Sequence, residues 1–235
     1  MTATLYGLGV GPGDPELMTL KAHRVLTAAK FIVYPAPDTG PSFAREIVTD
    51  YIRTDATEIP IIIPMRTQRF PAQEIYDEAA ETIAHHLDCG EDVVVLCEGD
   101  PFFYGSFMYL YARLNEQYRV EIVPGVSSLM ACAAEFGRPL AARNDVLTII
   151  PAPLAAEEIK RQLETTDAAA IIKIGRHYNK VYSILDELGL LERAGYVERA
   201  SLPNQKVVRL CEANIDKAPY FSMILVYRGG EIWMR

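Results

Sequence analysis

The sequence predicts an α/β protein, and two observations carry that expectation. First, short apolar runs rich in β-branched residues recur, and each stops at a polar turn holding glycine or proline ahead of a helix-period stripe. Val93-Val94-Val95-Leu96-Cys97 is the clearest run. It suits a strand buried on both faces, as in a parallel sheet. Second, the chain has 235 residues, half of them hydrophobic, enough for one large or two smaller cored domains. Gly137 to Asn144 (GRPLAARN) mixes glycine, proline, small residues and charge, and reads as a linker. The expected organisation is an N-terminal α/β domain over 1–136, a linker over 137–144 and a C-terminal α/β domain over 145–235.

Leu5 to Val10 reads as the first strand. Gly7, Gly9, Gly11 and Gly13 follow at alternate positions, with Pro12 among them. Asp14-Pro15-Glu16 is a helix start, with Asp14 as N-cap, Pro15 at the first helical position and Glu16 at the positive end of the dipole. Met18, Ala22, Val25 and Ala29 make its apolar stripe. Phe31 to Tyr34 is the second strand, stopped by Pro35 and Pro37. A dinucleotide fingerprint fails here. Counting six positions from Gly7, Gly9 or Gly11 reaches Pro12, Asp14 or Glu16 instead of glycine, and no acid closes the second strand.

Ile59 to Pro64 is a short strand bracketed by prolines, followed by a polar loop with Arg66 and Arg69. Those arginines belong either to a solvated loop or to a ligand contact. Ile75, Ala79, Ile83 and Leu87 line a helix that ends near Gly90; His85 and His86 on it are surface residues without a partner at metal spacing. The buried run at 93–97 then stops at Glu98-Gly99-Asp100-Pro101. Tyr104-Gly105-Ser106 opens a helix through Phe107, Leu110, Tyr111 and Leu114. A polar glycine turn at the carboxyl end of a buried strand is where open α/β sheets bind ligands, although it can be a plain strand-to-helix turn. Val120 to Val123 ends likewise at Pro124-Gly125, with Ser127 and Ser128 opening a helix through Leu129, Cys132, Ala133 and Phe136.

The second half alternates in the same way. Strands are expected at Val146–Ile150 and Ala168–Ile174, the latter ending in Gly175-Arg176-His177. Helices are expected at Glu157–Leu163 and Val181–Leu188, with Gly189 as C-cap. Strands over Tyr196–Leu202, Lys206–Leu210 and Phe221–Tyr227 complete it.

The formal charge of −8 argues against general nucleic-acid binding. The four cysteines, Cys89, Cys97, Cys132 and Cys211, form no CxxC, which points away from a metal centre or a disulfide framework and towards reduced thiols. No apolar run is long enough to span a bilayer, and the start MTATLYGLGVG lacks the basic and apolar blocks of a signal peptide. A cytoplasmic protein, with no membrane partner, is expected. No Ser/His/Asp or Cys/His nucleophile constellation stands out.

Taken together, the motifs resemble a known family. Tyr6-Gly7-Leu8-Gly9-Val10-Gly11-Pro12-Gly13-Asp14-Pro15 resembles the N-terminal signature of the tetrapyrrole methylases, which use S-adenosylmethionine. Glu98-Gly99-Asp100-Pro101 is similar to their cofactor-binding turn, and Pro124-Gly125-Val126-Ser127-Ser128 to their third motif. Lys173-Ile174-Gly175-Arg176 and Leu202-Pro203-Asn204-Gln205-Lys206 resemble segments of their second domain. Phe102 to Phe107 after the turn most resembles the branch that methylates precorrin-2 at C-20 in cobalamin synthesis. Pro35 after Tyr34 departs from the uroporphyrinogen-III methylases, which carry an acid there.

The resemblance implies the two-domain class III methyltransferase fold, each domain a mixed sheet flanked by helices, with the cofactor in the cleft between them and a homodimer as the usual assembly. It implies cofactor contacts at Pro12, Glu98, Gly99, Asp100, Phe103, Tyr104, Ser127, Ser128, Ile174, Ala200 and Ser222. It implies S-adenosylmethionine as methyl donor, S-adenosylhomocysteine as product and no metal. The tetrapyrrole rim carries carboxylates, which suit Arg66, Arg69 and Arg176. No catalytic acid carries over from the family. Tyr104 and Asp100 are the candidates, and Asp100 either holds the turn or helps catalysis. Cobalt-factor II as substrate, or another methylase of the superfamily acting on RNA or a modified histidine, are the alternatives.

Overall fold

The computed structural model describes residues 3–63 and 72–231. The chain divides into two compact units, Met1–Ser127 and Ser128–Arg235. The first is built on five strands: β1 (Thr4–Gly9), β2 (Phe31–Pro37), β3 (Thr57–Ile63), β4 (Val93–Cys97) and β5 (Arg119–Val123). Their order is β3-β2-β4-β1-β5, and all pairings between these strands are parallel. One antiparallel bridge, Gly11 to Gly99, extends the sheet beyond β1 and β4.

The alternation of β4 explains its continuous apolar run. Val93, Val95 and Cys97 face a cluster with Tyr76, Ile83 and Phe107. Val94 and Leu96 face the opposite cluster, with Leu26, Ile32 and Ile47. Both faces are covered, so every position of β4 is apolar. Helices α1 (Leu20–Ala28), α2 (Phe43–Ile47), α3 (Ala72–Asp88) and α4 (Phe107–Leu114) supply the cover.

Three elements differ from the sequence expectation. The helix expected from Pro15 is split. Asp14 caps a single 3₁₀ turn over Pro15–Leu17, and Thr19 then caps α1 through Ala22 N–H at 3.1 Å. Strand β2 runs through Pro35 to Pro37. Its pairing with β4 ends at Val33, so both prolines lie where only β3 is alongside and no donor is missed. Pro60 likewise sits inside β3, an edge strand. The helix expected to open at Tyr104-Gly105-Ser106 is present, starting at Phe107 with Ser106 as N-cap after turns over residues 101–106.

The second unit begins with α5 (Ser128–Phe136), which packs on strands of its own sheet. That sheet comprises β6 (Leu147–Pro151), β7 (Ala168–Ile172), β8 (Ala194–Glu198), β9 (Lys206–Arg209) and β10 (Ser222–Tyr227), in the order β6-β7-β10-β8-β9. It is mixed: β6 and β7 are parallel, and β10 is antiparallel to both β7 and β8. Helices α6 (Ala156–Glu164) and α7 (Tyr178–Glu187) cover one face. Gly195 on β8 leaves room for the Phe136 ring of α5, whose atoms would lie 2.3 Å from a Cβ there. Arg138, directly after α5, donates to Arg193 O at 3.1 Å and Leu225 O at 2.9 Å, so the start of the expected linker is tied to the sheet.

Candidate functional site

In the first unit, the carboxyl ends of β1, β4 and β5 meet at three glycines. A Cβ on Gly9 would lie 2.6 Å from Gly125 N and 2.7 Å from Gly99 O. A Cβ on Gly125 would lie 1.9 Å from Gly99 O. The three backbones are therefore in direct contact, which only glycine permits. Gly11 adds the bridge to Gly99, with Gly99 N donating to Gly11 O at 2.8 Å, and adopts φ +84°. Pro12 follows, buried. Alternate glycines in the first motif thus have separate duties: Gly7 makes room for Phe107, Gly9 for Gly125, and Gly11 turns the chain.

Asp100 fastens the junction. One carboxylate oxygen accepts from Phe102 N–H at 2.9 Å and the other from Gly125 N–H at 3.1 Å. Both oxygens are committed to backbone, which is the turn-holding role. Glu98, half-buried at the end of β4, is different. Burial pushes its carboxyl up, while N–H groups of Glu98 itself and Ala44 pull partly the other way. Beside it, burial also raises the Tyr76 hydroxyl, which bonds Ser106. The Cys97 thiol is pushed well up by burial and by the nearby Glu98 and Asp100 carboxylates, so it stays protonated and unreactive.

The turn after Asp100 is tightly wound. Gly105 packs so closely that a Cβ would lie 2.7 Å from Pro101 O. Tyr104, just before it, holds φ +55°, a left-handed conformation that an aromatic residue rarely adopts. Its ring stands edge-on to Phe103 at 5.1 Å. Phe103 is partly buried, and Ser127 and Ser128 lie at the entry to α5, partly buried and exposed respectively.

In the second unit, β6, β7 and β8 point the same way, and Ile174 and Ala200 follow the carboxyl ends of β7 and β8. Ser222 pairs with Glu198 at the same edge, and Arg199 N–H donates to Phe221 O at 2.9 Å. The sequence-predicted positions Ile174, Ala200 and Ser222 are thus brought together at one end of the sheet. All three are buried, and the Ser222 hydroxyl donates to Pro219 O at 2.7 Å. Lys173, Arg199 and Ser201 beside them hold φ of 59°, 50° and 64°. With Tyr104, four of the five described non-glycine residues at positive φ flank predicted site positions, and such strain gathers at functional loops. Sequence reading could not see this strain, because Tyr, Lys and Arg do not announce a left-handed backbone as glycine does.

Arg176 is exposed, next to His177, whose imidazole is lowered by burial and by the neighbouring Lys180 and Arg176 cations. Arg66 and Arg69 lie outside the described residues. No metal-ligating cluster occurs among the described residues, and His86 packs its ring on Phe31 at 4.2 Å. No helix among the described residues is long and apolar enough to cross a membrane.

Comparison with known proteins agrees with this layout. A Precorrin-2 C(20)-methyltransferase from a Sinorhizobium species is 39% identical over 230 residues, 94% of this chain and 94% of that one. A Cobalt-precorrin-2 C(20)-methyltransferase from Salmonella typhimurium is 32% identical, over 98% of this chain and 99% of that one. The cobalamin biosynthesis protein CobIJ of Mycobacterium bovis is 41% identical over 96% of this chain, which spans 46% of the length of that relative. Among solved structures, uroporphyrin-III C-methyltransferase from Thermus thermophilus, complexed with S-adenosylhomocysteine, superposes with a TM-score of 0.71 at 25% identity, covering 95% of this chain and 97% of that one. The family model of the tetrapyrrole (corrin/porphyrin) methylases matches residues 4–216, and the chain belongs to that family.

Proposed function

We propose that this chain transfers a methyl group from S-adenosylmethionine to C-20 of precorrin-2, giving precorrin-3A in cobalamin biosynthesis. The likeness to the Sinorhizobium enzyme over nearly the full length of both chains carries the substrate assignment. The donor set fits the cofactor. The strand-end loops offer backbone amides and carbonyls, the hydroxyls of Ser127 and Ser128 and the Glu98 carboxyl, while the nearby Cys97 thiol is held protonated. We assign cofactor contacts to Pro12, Glu98, Gly99, Asp100, Phe103, Tyr104 and Ser127 in the first unit, and to Ser128, Ile174, Ala200 and Ser222 in the second.

When bound, S-adenosylmethionine supplies an electrophilic sulfonium methyl. A reduced tetrapyrrole is electron-rich at its meso carbons, so C-20 needs no protein nucleophile. The residues of the chain have positioning work: holding the reacting carbon near contact distance and in line contributes most of the rate. Asp100 keeps the turn in shape for this through its two backbone bonds. The proton lost from C-20 goes to water or to a tyrosine such as Tyr104. Arg66, Arg69 and Arg176 bind the rim carboxylates, a task that suits a guanidinium fork. The working assembly is a homodimer in the cytoplasm.

The Salmonella relative supports a second reading, the same transfer to the cobalt-containing substrate. An anaerobic assay with labelled S-adenosylmethionine separates them, with precorrin-2 and cobalt-factor II in different tubes and the product mapped by NMR. One methyl at C-20 of precorrin-2 alone is the expected result. Transfer to cobalt-factor II alone moves the protein to the other substrate, and transfer to neither refutes the assignment.

A further inference from the structure

We propose that the ring of Tyr104 is a substrate platform, on which the flat face of the tetrapyrrole stacks. This rests on the tetrapyrrole reading above. Three observations support it. The turn from Asp100 to Ser106 is fixed independently of Tyr104, by the two Asp100 bonds and by the contact of Gly105 with Pro101 O. That fixed turn forces position 104 to φ +55°, where glycine or asparagine would sit with less strain. The tyrosine there is 46% exposed, so its ring does not repay the strain by burial in a core. A left-handed backbone at an exposed aromatic residue points to a use for the side chain.

The surroundings fit a flat, unsaturated ligand. Phe102 is 47% exposed and edge-on to Tyr111 at 5.1 Å. Phe103 stands edge-on to Tyr104, at 87°. Aromatic faces prefer offset stacking or edge contact, and a partly unsaturated macrocycle offers a broad surface for the first. Cofactor binding through the backbone of this turn is a separate matter and does not require the ring.

The test uses the full chain with Tyr104→Gly, Tyr104→Asn and Tyr104→Phe. Glycine and asparagine both accept the left-handed backbone and remove the ring. The expected result has four parts. The glycine and asparagine variants melt no lower than the parent. S-adenosylhomocysteine raises their melting temperatures by the same increment as in the parent. KM for precorrin-2 rises at least tenfold in both. Tyr104→Phe restores KM to within a few fold. Unchanged KM in the ring-less variants overturns the platform, as does failure of phenylalanine to rescue, which would assign the role to the hydroxyl. Loss of the S-adenosylhomocysteine increment also overturns it, placing the ring against the cofactor. A parent protein that methylates no tetrapyrrole refutes the functional reading itself, and is scored before any variant is compared.

Discussion

Gly125→Ala is the sharpest probe of how the strand-end loops are held together. The new Cβ would fall 1.9 Å from Gly99 O and 2.9 Å from Gly9 Cα, both backbone atoms that cannot swing aside. Restoring ordinary contact requires the turn after β5 to retreat by about 1.5 Å. The bond from Gly125 N–H to Asp100, already 3.1 Å long, does not survive that movement. Overpacking costs about 1–3 kcal/mol and a lost bond to a carboxylate about 1.5–3, so the variant should lose about 2.5–6 kcal/mol. Gly137→Ala is the control. Its φ is +67° and nothing lies within 4 Å of its Cβ, so only left-handed strain of about 1–2 kcal/mol is expected. Urea unfolding followed by circular dichroism, compared at constant m-value, reads both. A loss at Gly125 no greater than at Gly137 would refute the three-backbone contact.

Four further outcomes are expected. Asp100→Ala leaves Phe102 N–H and Gly125 N–H without their acceptor and should cost about 2–4 kcal/mol in urea unfolding, with Asp100→Asn recovering part of it. Glu58 is held below its usual value chiefly by the Arg45 hydrogen bond, so its contribution is present above the unfolded value of 4.5 and is lost as pH falls through the depressed one. Glu58→Gln should therefore be less stable than the parent at pH 7, with the gap closing in acid. Glu98 has the opposite sign. Burial raises its carboxyl, so its stabilising protonated form is present below 4.5 and lost as pH rises through the raised value. Glu98→Gln should be more stable than the parent near neutrality and equal to it in acid; a matched pair of urea titrations across pH checks both glutamates. Arg176→Ala should raise KM for the tetrapyrrole and leave the S-adenosylhomocysteine melting increment unchanged, and equal loss of both in steady-state and melting assays would remove Arg176 from the substrate side.

Much of this architecture was legible because it is periodic. The all-apolar run of β4 announced a strand covered on both faces, and Gly189 marked the end of α7 with φ +66°. Prolines misled where only local rules were applied. By local rules Pro35 reads as a stop, yet β2 continues, because its pairing with β4 stops at Val33 and only β3 runs alongside the prolines. Short α2 carries too few residues for a stripe to show. At the site, the glycine motifs indicated where loops lie, but not that Gly9, Gly99 and Gly125 touch, since contact across 25 and more residues leaves no local mark. The bond of the Asp100 carboxylate to Gly125 is likewise absent from any local pattern. The left-handed Lys173, Arg199 and Ser201 were invisible, because the sheet edge and not their own preference sets their backbone.

The strand order has a consequence for how the chain comes off the ribosome. β1 is synthesised first but belongs between β4 and β5. Thr4 N–H finds its acceptor on Asp92, 88 residues later. At ordinary elongation speeds of roughly 5–20 residues per second, β1 waits for about 4–18 s before its first partner emerges. During that interval Leu5, Leu8 and Val10, each fully buried in the finished fold, have no sheet to join. The nascent chain therefore holds β1, an interior strand of the finished sheet, without a partner for longer than any other strand of that sheet.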